Sequence, residues 1–198
     1  MGRRSLAGER KQQIIEATTR CLRRHGLAGA TLERIAEESG MSRSHIRHYI
    51  GNREDLLLAV VRHLHERYDQ AFAASVDEAA QEAKLAAVMD YLYGPEFTAP
   101  GDDNAVIREL LSAGLDSDAV REAMLAGYQY TLEAVEAGIA AEHPDASAAR
   151  RRAAAYGLLC LALGNAVMAD MDLRMASGGL VRVAAEAVVE QLARPVSV

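Results

Sequence analysis

Apolar residues recur along most of this chain at intervals of three and four, the spacing that places side chains on one face of an α-helix. In residues 9–25 this stripe consists of Ile14, Ile15, Thr18, Cys21 and Leu22, and Gly26 follows where the helix should end. Turn signals rich in Gly, Pro, Asn and Ser separate one periodic segment from the next. Because the alternation typical of strands is weak, the sequence predicts an all-α fold.

A short helix is predicted immediately before Gly40. Leu32, Ile35 and Ala36 share one helix face, and Thr31 precedes them as an N-cap whose side chain can accept a backbone N–H. Gly40 stands at the C-terminal end, where the left-handed conformation is usual and Gly adopts it without steric cost.

A second short helix is predicted after Ser42, with its apolar residues Ile46 and Ile50 four positions apart. Its remaining residues are polar, basic or aromatic: Arg43, Ser44, His45, Arg47, His48 and Tyr49. Two helices joined in this way form a helix-turn-helix, whose second helix enters the major groove of DNA. A solvated turn between two bundle helices is the alternative, but the many side chains able to bind bases or phosphates favour DNA binding.

The rest of the chain is predicted to be a helical body. Asn52 caps a long helix from Arg53 to about residue 74, which joins the helix-turn-helix to the body without a flexible linker. Further helices are expected at about 77–93, 102–113, 117–143, 147–172 and 179–193.

The distribution of charge divides the chain in the same way. The 198 residues carry a net charge of -6, yet residues 1–55 hold eleven Arg and Lys against seven acids, a local charge of +4. The remainder is therefore at -10. A basic segment on an acidic body is typical of a protein with one nucleic-acid-binding face.

Other kinds of chemistry find little support in the sequence. Cys21 and Cys160 are far apart and are expected to be buried free thiols of a reducing cytoplasm. The basic N-terminus precedes no apolar run, and the apolar segment 153–169 is expected to be a buried helix because Arg150, Arg151, Arg152 and Asp170 flank it. No metal-ligand spacing, phosphate loop or nucleophile motif is present, so we expect no cofactor, no metal and no enzyme activity.

Residues 9–64 resemble the TetR/AcrR family of bacterial transcriptional regulators, above all in GMSRSHIRHYIGNREDLLLAV. The similarity lies in the small residues around Ser42 and Ser44, the His48-Tyr49 pair and the cation at Arg53. Many members differ from this chain at three positions: they have an aromatic residue at Arg47, Phe or Val at Ile50, and Lys at Arg53. The resemblance implies base contacts by Arg43, Ser44, His45 and Arg47, and phosphate contacts by Thr31, His48, Tyr49 and Arg53; Ser42 completes the predicted DNA-facing set.

The same resemblance implies a pocket in the body for a small-molecule effector. The candidate lining residues are Met89, Tyr91, Phe97, Met124, Tyr128, Tyr156 and Cys160, although Met and Tyr at helical spacing usually belong to the core. Tyr128 and Tyr156 are favoured because a buried phenol needs a hydrogen-bond partner. Three segments (GERKQQIIEAT, HYIGNREDLL and AAAYGLLCLALGNAV) are similar to the choline-sensing BetI branch. Its ligand is not carried over, because aromatic residues make up only 5% of this chain.

The last two predicted helices carry more apolar surface than a small body needs, which predicts a four-helix dimer interface. The candidate interface residues are Leu158, Leu161, Asn165, Met168, Val181 and Val188, and a single-chain core is the alternative. A two-fold dimer would bind a pseudo-palindrome whose half-sites lie about 34–36 Å apart.

We therefore expect a helix-turn-helix DNA-binding domain at 1–52 and a helical ligand-binding and dimerisation domain at 53–198. The expected function is that of a cytoplasmic homodimeric repressor, which a small molecule releases from its operator. A helical dimer that binds a small molecule or a protein without binding DNA is the alternative. The net charge of -6 favours that alternative, and the basic first segment opposes it.

Overall fold

The computed structural model describes residues 6–76, 79–80, 83–98 and 102–193. All regular structure in these residues is helical, so the predicted all-α fold is confirmed. The helices are α1 (Leu6–Gly29), α2 (Leu32–Ser39), α3 (Arg43–Tyr49), α4 (Arg53–Val76), α5 (Lys84–Tyr93), α6 (Pro95–Thr98), α7 (Asp102–Asp116), α8 (Asp118–Glu142), α9 (Ala148–Asp170) and α10 (Gly178–Glu190). The predicted start of a helix at Asp77 lies outside the described residues.

The chain forms two compact units. Unit 1 comprises Met1–Tyr68 and Asp102–Gly127, and unit 2 comprises Asp69–Gly101 and Tyr128–Val198. Both α4 and α8 continue from one unit into the other. The boundary that we expect at residue 52 stays a prediction.

Unit 1 is built on α1, which packs against α2, α3 and α7. Ile14, Leu22, Ile35, Ile46 and Val60 are at most 1% exposed, so the apolar stripes of four helices meet in one core. This burial is the main force that holds the short helices in place, because helices of seven or eight residues are not stable on their own.

Gly26 interrupts α1 with φ 66° and ψ -180°, and a further helical turn follows up to Gly29. The sequence predicts the end of this helix at Gly26. In the structure, Gly26 only interrupts it, because the chain turns there and the helix then continues to Gly29. The interruption leaves the N–H of Leu27 without a helical acceptor, and it donates instead to Glu109 Oε2 of α7 at 2.5 Å.

Unit 2 has its own core, in which α5, α6, α9 and α10 pack together. Val88, Leu92, Ile139 and Leu158 are fully buried there. The hydroxyl of Tyr93 donates to the backbone carbonyl of Leu158 at 2.8 Å. Burial raises the pKa of Tyr93, so the phenol remains protonated and can keep donating.

Among the described residues, α9 alone is long and apolar enough to cross a bilayer by length and composition. Core helices of soluble proteins pass the same test, and Ala155, Leu158 and Ala162 of α9 are buried within unit 2. The helix is therefore explained as a core element.

The two glycines of unit 1 with φ near 65° should differ in how well they tolerate a side chain. Gly26→Ala should lower the free energy of unfolding by about 2 kcal/mol, because its φ and ψ lie in a region almost restricted to Gly. A Cβ there would also lie 3.3 Å from Glu109 Oε2. Gly40→Ala should cost only about 1 kcal/mol, because φ 64° and ψ 25° are ordinary left-handed helix with open space around the Cβ. Urea denaturation followed by circular dichroism measures both; a loss at Gly26 no larger than at Gly40 would contradict the assignment.

Candidate nucleic-acid interface

The turn between α2 and α3 is fixed by local hydrogen bonds. The N–H of Met41 donates to the carbonyl of Ala36 at 3.0 Å across Gly40, which is the Schellman arrangement at a helix end. Ser42 then caps α3, and its side-chain oxygen accepts the N–H of His45 at 3.2 Å. The turn therefore sets where α3 begins, before any contact with DNA.

Ile46 is the one buried residue of α3 and is fully enclosed in the core of unit 1. Its burial turns the rest of the helix outward. The predicted DNA-facing residues are exposed, with Tyr49 half-buried: Thr31, Ser42, Arg43, Ser44, His45, Arg47, His48 and Arg53. The rings of His48 and Tyr49 meet edge to face at 5.2 Å between centroids. The structure thus exposes the predicted set on or next to α3, and its role in binding DNA stays a prediction.

Two ion pairs to Glu38 brace the helix-turn-helix against α1. Arg20 Nε lies 2.6 Å from Glu38 Oε1, and Arg24 Nη1 lies 3.3 Å from Glu38 Oε2. The hydrogen bond from Arg20, followed by the charge of Arg24, lowers the pKa of the Glu38 carboxyl. Gln13 adds a hydrogen bond to the carbonyl of Ser39 at 2.7 Å. Part of the positive charge of residues 1–55 is therefore neutralised by internal pairing.

Arg53 fixes the start of α4 to unit 1, because its guanidinium donates to the backbone carbonyl of Leu27. Asn52 caps the same helix as expected, and its Oδ1 accepts the N–H groups of Glu54 and Asp55 at 2.7 and 3.1 Å. Arg53 thus combines a structural contact with the predicted phosphate contact.

Glu33 is a residue of this surface that the sequence did not single out. Its Oε1 lies 2.6 Å from Nη1 of Arg43, and both side chains are exposed. The backbone N–H of Glu33 itself, then the hydrogen bond from Arg43, and to a smaller extent the Thr31 hydroxyl, lower the pKa of the Glu33 carboxyl. The sequence carried no signal for this pair, because its members are ten residues apart on different helices.

The predicted pocket residues fall into separate places. Met89 is buried in unit 2, where the half-buried Tyr91 and Phe97 lie 5.9 Å apart between ring centroids. Tyr128 of the same unit is half-buried, and burial raises the pKa of its phenol. Met124 is buried in unit 1 and so belongs to a different core.

The expected burial of Tyr156 and Cys160 is wrong. Tyr156 is 63% exposed and Cys160 is exposed, whereas Cys21 is buried as expected. The two exposed side chains are one turn apart on α9, and a hydrogen bond between them raises the pKa of Tyr156. The sequence could not show this, because α9 is apolar on most of its circumference. The other helices of the chain pack against only part of that apolar surface.

The residues predicted to form the dimer interface differ in how far they are buried. Leu158 is fully buried in the core of its own unit, so its assignment to a surface is wrong for this chain. Met168 is 43% exposed, while Leu161, Asn165, Val181 and Val188 are half-buried.

Several large apolar side chains are exposed on the same two helices, α9 and α10, and in the loop between them. These are the side chains of Tyr156, Val167, Met168, Met171, Leu173, Met175, Leu180 and Val183, which we call the α9–α10 apolar face. An open groove of about 270 Å³ crosses it, lined by Cys160, Leu161, Gly164, Asn165, Met168, Leu173, Met175, Ala176 and Val181. The residues between the two helices were not among the predicted ones, although Met171, Leu173 and Met175 in the loop 171–177 are a usable signal.

In the described residues, a polar helix beside a glycine turn in an all-helical fold is the arrangement of helix-turn-helix DNA-binding proteins. Residues 14–60 match the family of bacterial regulatory proteins named after TetR. The comparisons support a regulator of the TetR family, as the resemblance indicated. TetR-family regulators are not enzymes, which agrees with the expectation that this chain is not one.

Three known proteins illustrate the relationship. The transcriptional repressor AcnR of Corynebacterium glutamicum is 44% identical over 52 residues, which are 26% of this chain and 28% of AcnR. The regulator BetI 2 of Chromohalobacter salexigens is 34% identical over 84 residues, 41% of each chain. Both matches span well under two thirds of the relative. A TetR transcription regulator from Haloarcula marismortui has a similar structure, with a TM-score of 0.78 and 25% identity over 92% of this chain and 97% of that one.

Proposed function

We propose that this protein is a cytoplasmic, homodimeric transcriptional repressor that binds a pseudo-palindromic operator and is released by a small molecule. The observation that carries the proposal is the orientation of α3, with Ile46 in the core and every polar side chain of the helix at least partly exposed. The repressor AcnR, which the chain matches over 52 residues, supports the sign of regulation.

The side chains of α3 suit two tasks. Arg43 and Arg47 can donate two parallel hydrogen bonds to a guanine, and Ser44 and His45 can bind single acceptors on base edges. To Thr31, His48, Tyr49 and Arg53 we assign contacts with the phosphate backbone, which fix the register of α3 in the groove. Ser42 serves chiefly as the cap that starts the helix.

Selection of bound fragments from a random pool of duplex DNA tests the proposal. The wild type should enrich a pseudo-palindrome. Arg43→Ala should lose roughly tenfold or more in affinity for that sequence, because one bidentate base contact is removed. Its affinity for random DNA should fall much less, since that binding depends on phosphate contacts.

The control is Ser112→Ala, an exposed residue of α7 whose replacement should leave both affinities unchanged. Equal losses on selected and random DNA for Arg43→Ala would contradict base readout. Enrichment of no sequence by a folded wild type at low salt would contradict the proposed function.

The α9–α10 apolar face supports dimerisation. A stretch of exposed apolar side chains this extensive usually marks an interface, because single exposed residues are common but contiguous patches are not. Two-fold pairing through this face would join two recognition helices in one molecule, and one helix-turn-helix alone contacts few bases.

Leu180→Glu should convert the dimer into monomers, since Leu180 is 57% exposed on this face and a buried unpaired carboxylate is costly. Affinity for the selected palindrome should then fall by roughly 100-fold, because the second half-site is no longer linked to the first. Leu115→Glu is the matched control, because Leu115 is 82% exposed at the end of α7 in unit 1. Light scattering coupled to size exclusion measures the mass; a dimeric Leu180→Glu would place the interface elsewhere.

An effector site is best supported around Tyr91 and Phe97. Four of the chain's nine aromatic residues lie together in unit 2: Phe72 is 5.1 Å from Tyr91 and 6.2 Å from Tyr130 between ring centroids, and Tyr91 contacts Phe97. Aromatic side chains supply large apolar contact area with polar groups at the rim, as in most small-molecule sites.

Tyr91→Leu should raise the effector concentration needed to release the selected operator by roughly tenfold, because a ring contact is worth about 1 kcal/mol or more. Tyr91→Phe keeps the ring and should change the concentration much less. The measurement is release of labelled operator across a library of small metabolites. An unchanged response of Tyr91→Leu to a compound that releases the wild type would exclude this location.

A further inference from the structure

Glu33 is paired with one of the residues predicted to touch DNA. It lies in the first turn of α2, and its carboxylate accepts a hydrogen bond from Arg43 of α3 at 2.6 Å. A predicted base contact is therefore tied to an acidic side chain on the exposed surface of the helix-turn-helix.

Fold stability does not account for this arrangement. The side chains of Arg43 and Glu33 are 64% and 59% exposed, and ion pairs at such exposure contribute little to stability. An acid beside the recognition helix also repels phosphates and so weakens binding to any DNA. The first turn of α2 explains an acid at this position, but the ion pair itself has its main effect on Arg43.

The effect on Arg43 is to limit its orientations. A free arginine at the start of a helix samples many rotamers, and that freedom is lost when it binds a base. The guanidinium has five N–H donors in one plane, so the bond from Nη1 to Glu33 leaves donors available for a guanine. If the guanidinium is already held in one plane, it loses less entropy when it binds the base that fits that plane. It also adapts less well to bases that need a different orientation.

We propose that Glu33 is a specificity-determining residue, whose carboxylate positions the Arg43 guanidinium for one base while its charge weakens binding to sequences that lack this base. The inference rests on the proposed function, since it assigns Arg43 to base readout. An acidic positioning residue of this kind acts through Arg43 and has no need to touch the DNA itself.

Two substitutions separate the positioning effect from the charge effect. Glu33→Gln removes the charge and the ion pair together. Glu33→Asp keeps the charge but shortens the side chain by one methylene, so that its carboxylate falls short of Arg43. Glu37→Gln is the matched control, because Glu37 lies on the same helix face one turn further on and is also exposed.

Binding of the full-length protein is measured on the operator recovered by selection, on the same operator with the Arg43-dependent base pair changed, and on random duplex across a salt series. The affinity for the selected operator, divided by the affinity for the operator with the changed base pair, should fall roughly fivefold in both Glu33 variants. This loss is smaller than the discrimination that one whole base contact contributes. Affinity for random duplex should rise for Glu33→Gln and Glu37→Gln, and should stay at the wild-type level for Glu33→Asp. In an Arg43→Ala background, Glu33→Gln should leave the ratio unchanged.

A ratio that stays at the wild-type value in both Glu33 variants would overturn the inference while leaving the proposed function intact. A ratio that rises would also overturn it, because Glu33 would then compete with DNA for Arg43 rather than position it. A wild type that shows no salt-dependent DNA binding would remove the proposed function itself, and this outcome is read before any variant is made. Unchanged thermal unfolding of both variants is expected, since the pair is exposed.

Discussion

The burial of Ile46 is the constraint on which the recognition surface depends. Helix α3 has seven residues and one buried side chain, so a single apolar contact region decides which way the helix faces. Gly40 and Ser42 fix where the helix starts, and α1 and α2 provide the core into which Ile46 is inserted. Given that insertion, helix geometry turns Ser44 and Arg47 away from the core, while Arg43 is exposed at the first position of the helix.

Charge acts at two levels in this protein. The excess of basic residues in the first 55 supplies general attraction to phosphates, but several of those cations are paired within unit 1. Arg20 and Arg24 pair with Glu38 and hold α2 against α1, while Arg43 pairs with Glu33 on the exposed surface. The pairs to Glu38 join α2 to α1. The proposed role of the pair to Glu33 is to orient the guanidinium of Arg43. That orientation affects the choice between DNA sequences more than the affinity for any one of them.

Unit 2 has two surfaces to which we assign different tasks. Its aromatic cluster around Tyr91 lies beside the core, where a small molecule can exclude water, and its α9–α10 apolar face is open to a second protein molecule. Because α4 and α8 run through both units, a ligand that binds two conformations unequally can shift the recognition helices through continuous helix.

The sequence alone determined the all-α fold, the helix-turn-helix and the caps Thr31, Ser42 and Asn52, because periodicity and capping act over four residues or fewer. Only the tertiary structure decided that Glu33 meets Arg43, that Glu109 receives the N–H of Leu27, and that Leu158 is buried while Tyr156 is exposed. The first two pairs join separate helices, and their side chains have no periodic signature. The burial of Leu158 and the exposure of Tyr156 have a different cause. Helix α9 is apolar on nearly every side, so its sequence pattern does not indicate which face is buried. Packing against α5 and α10 decides which face that is.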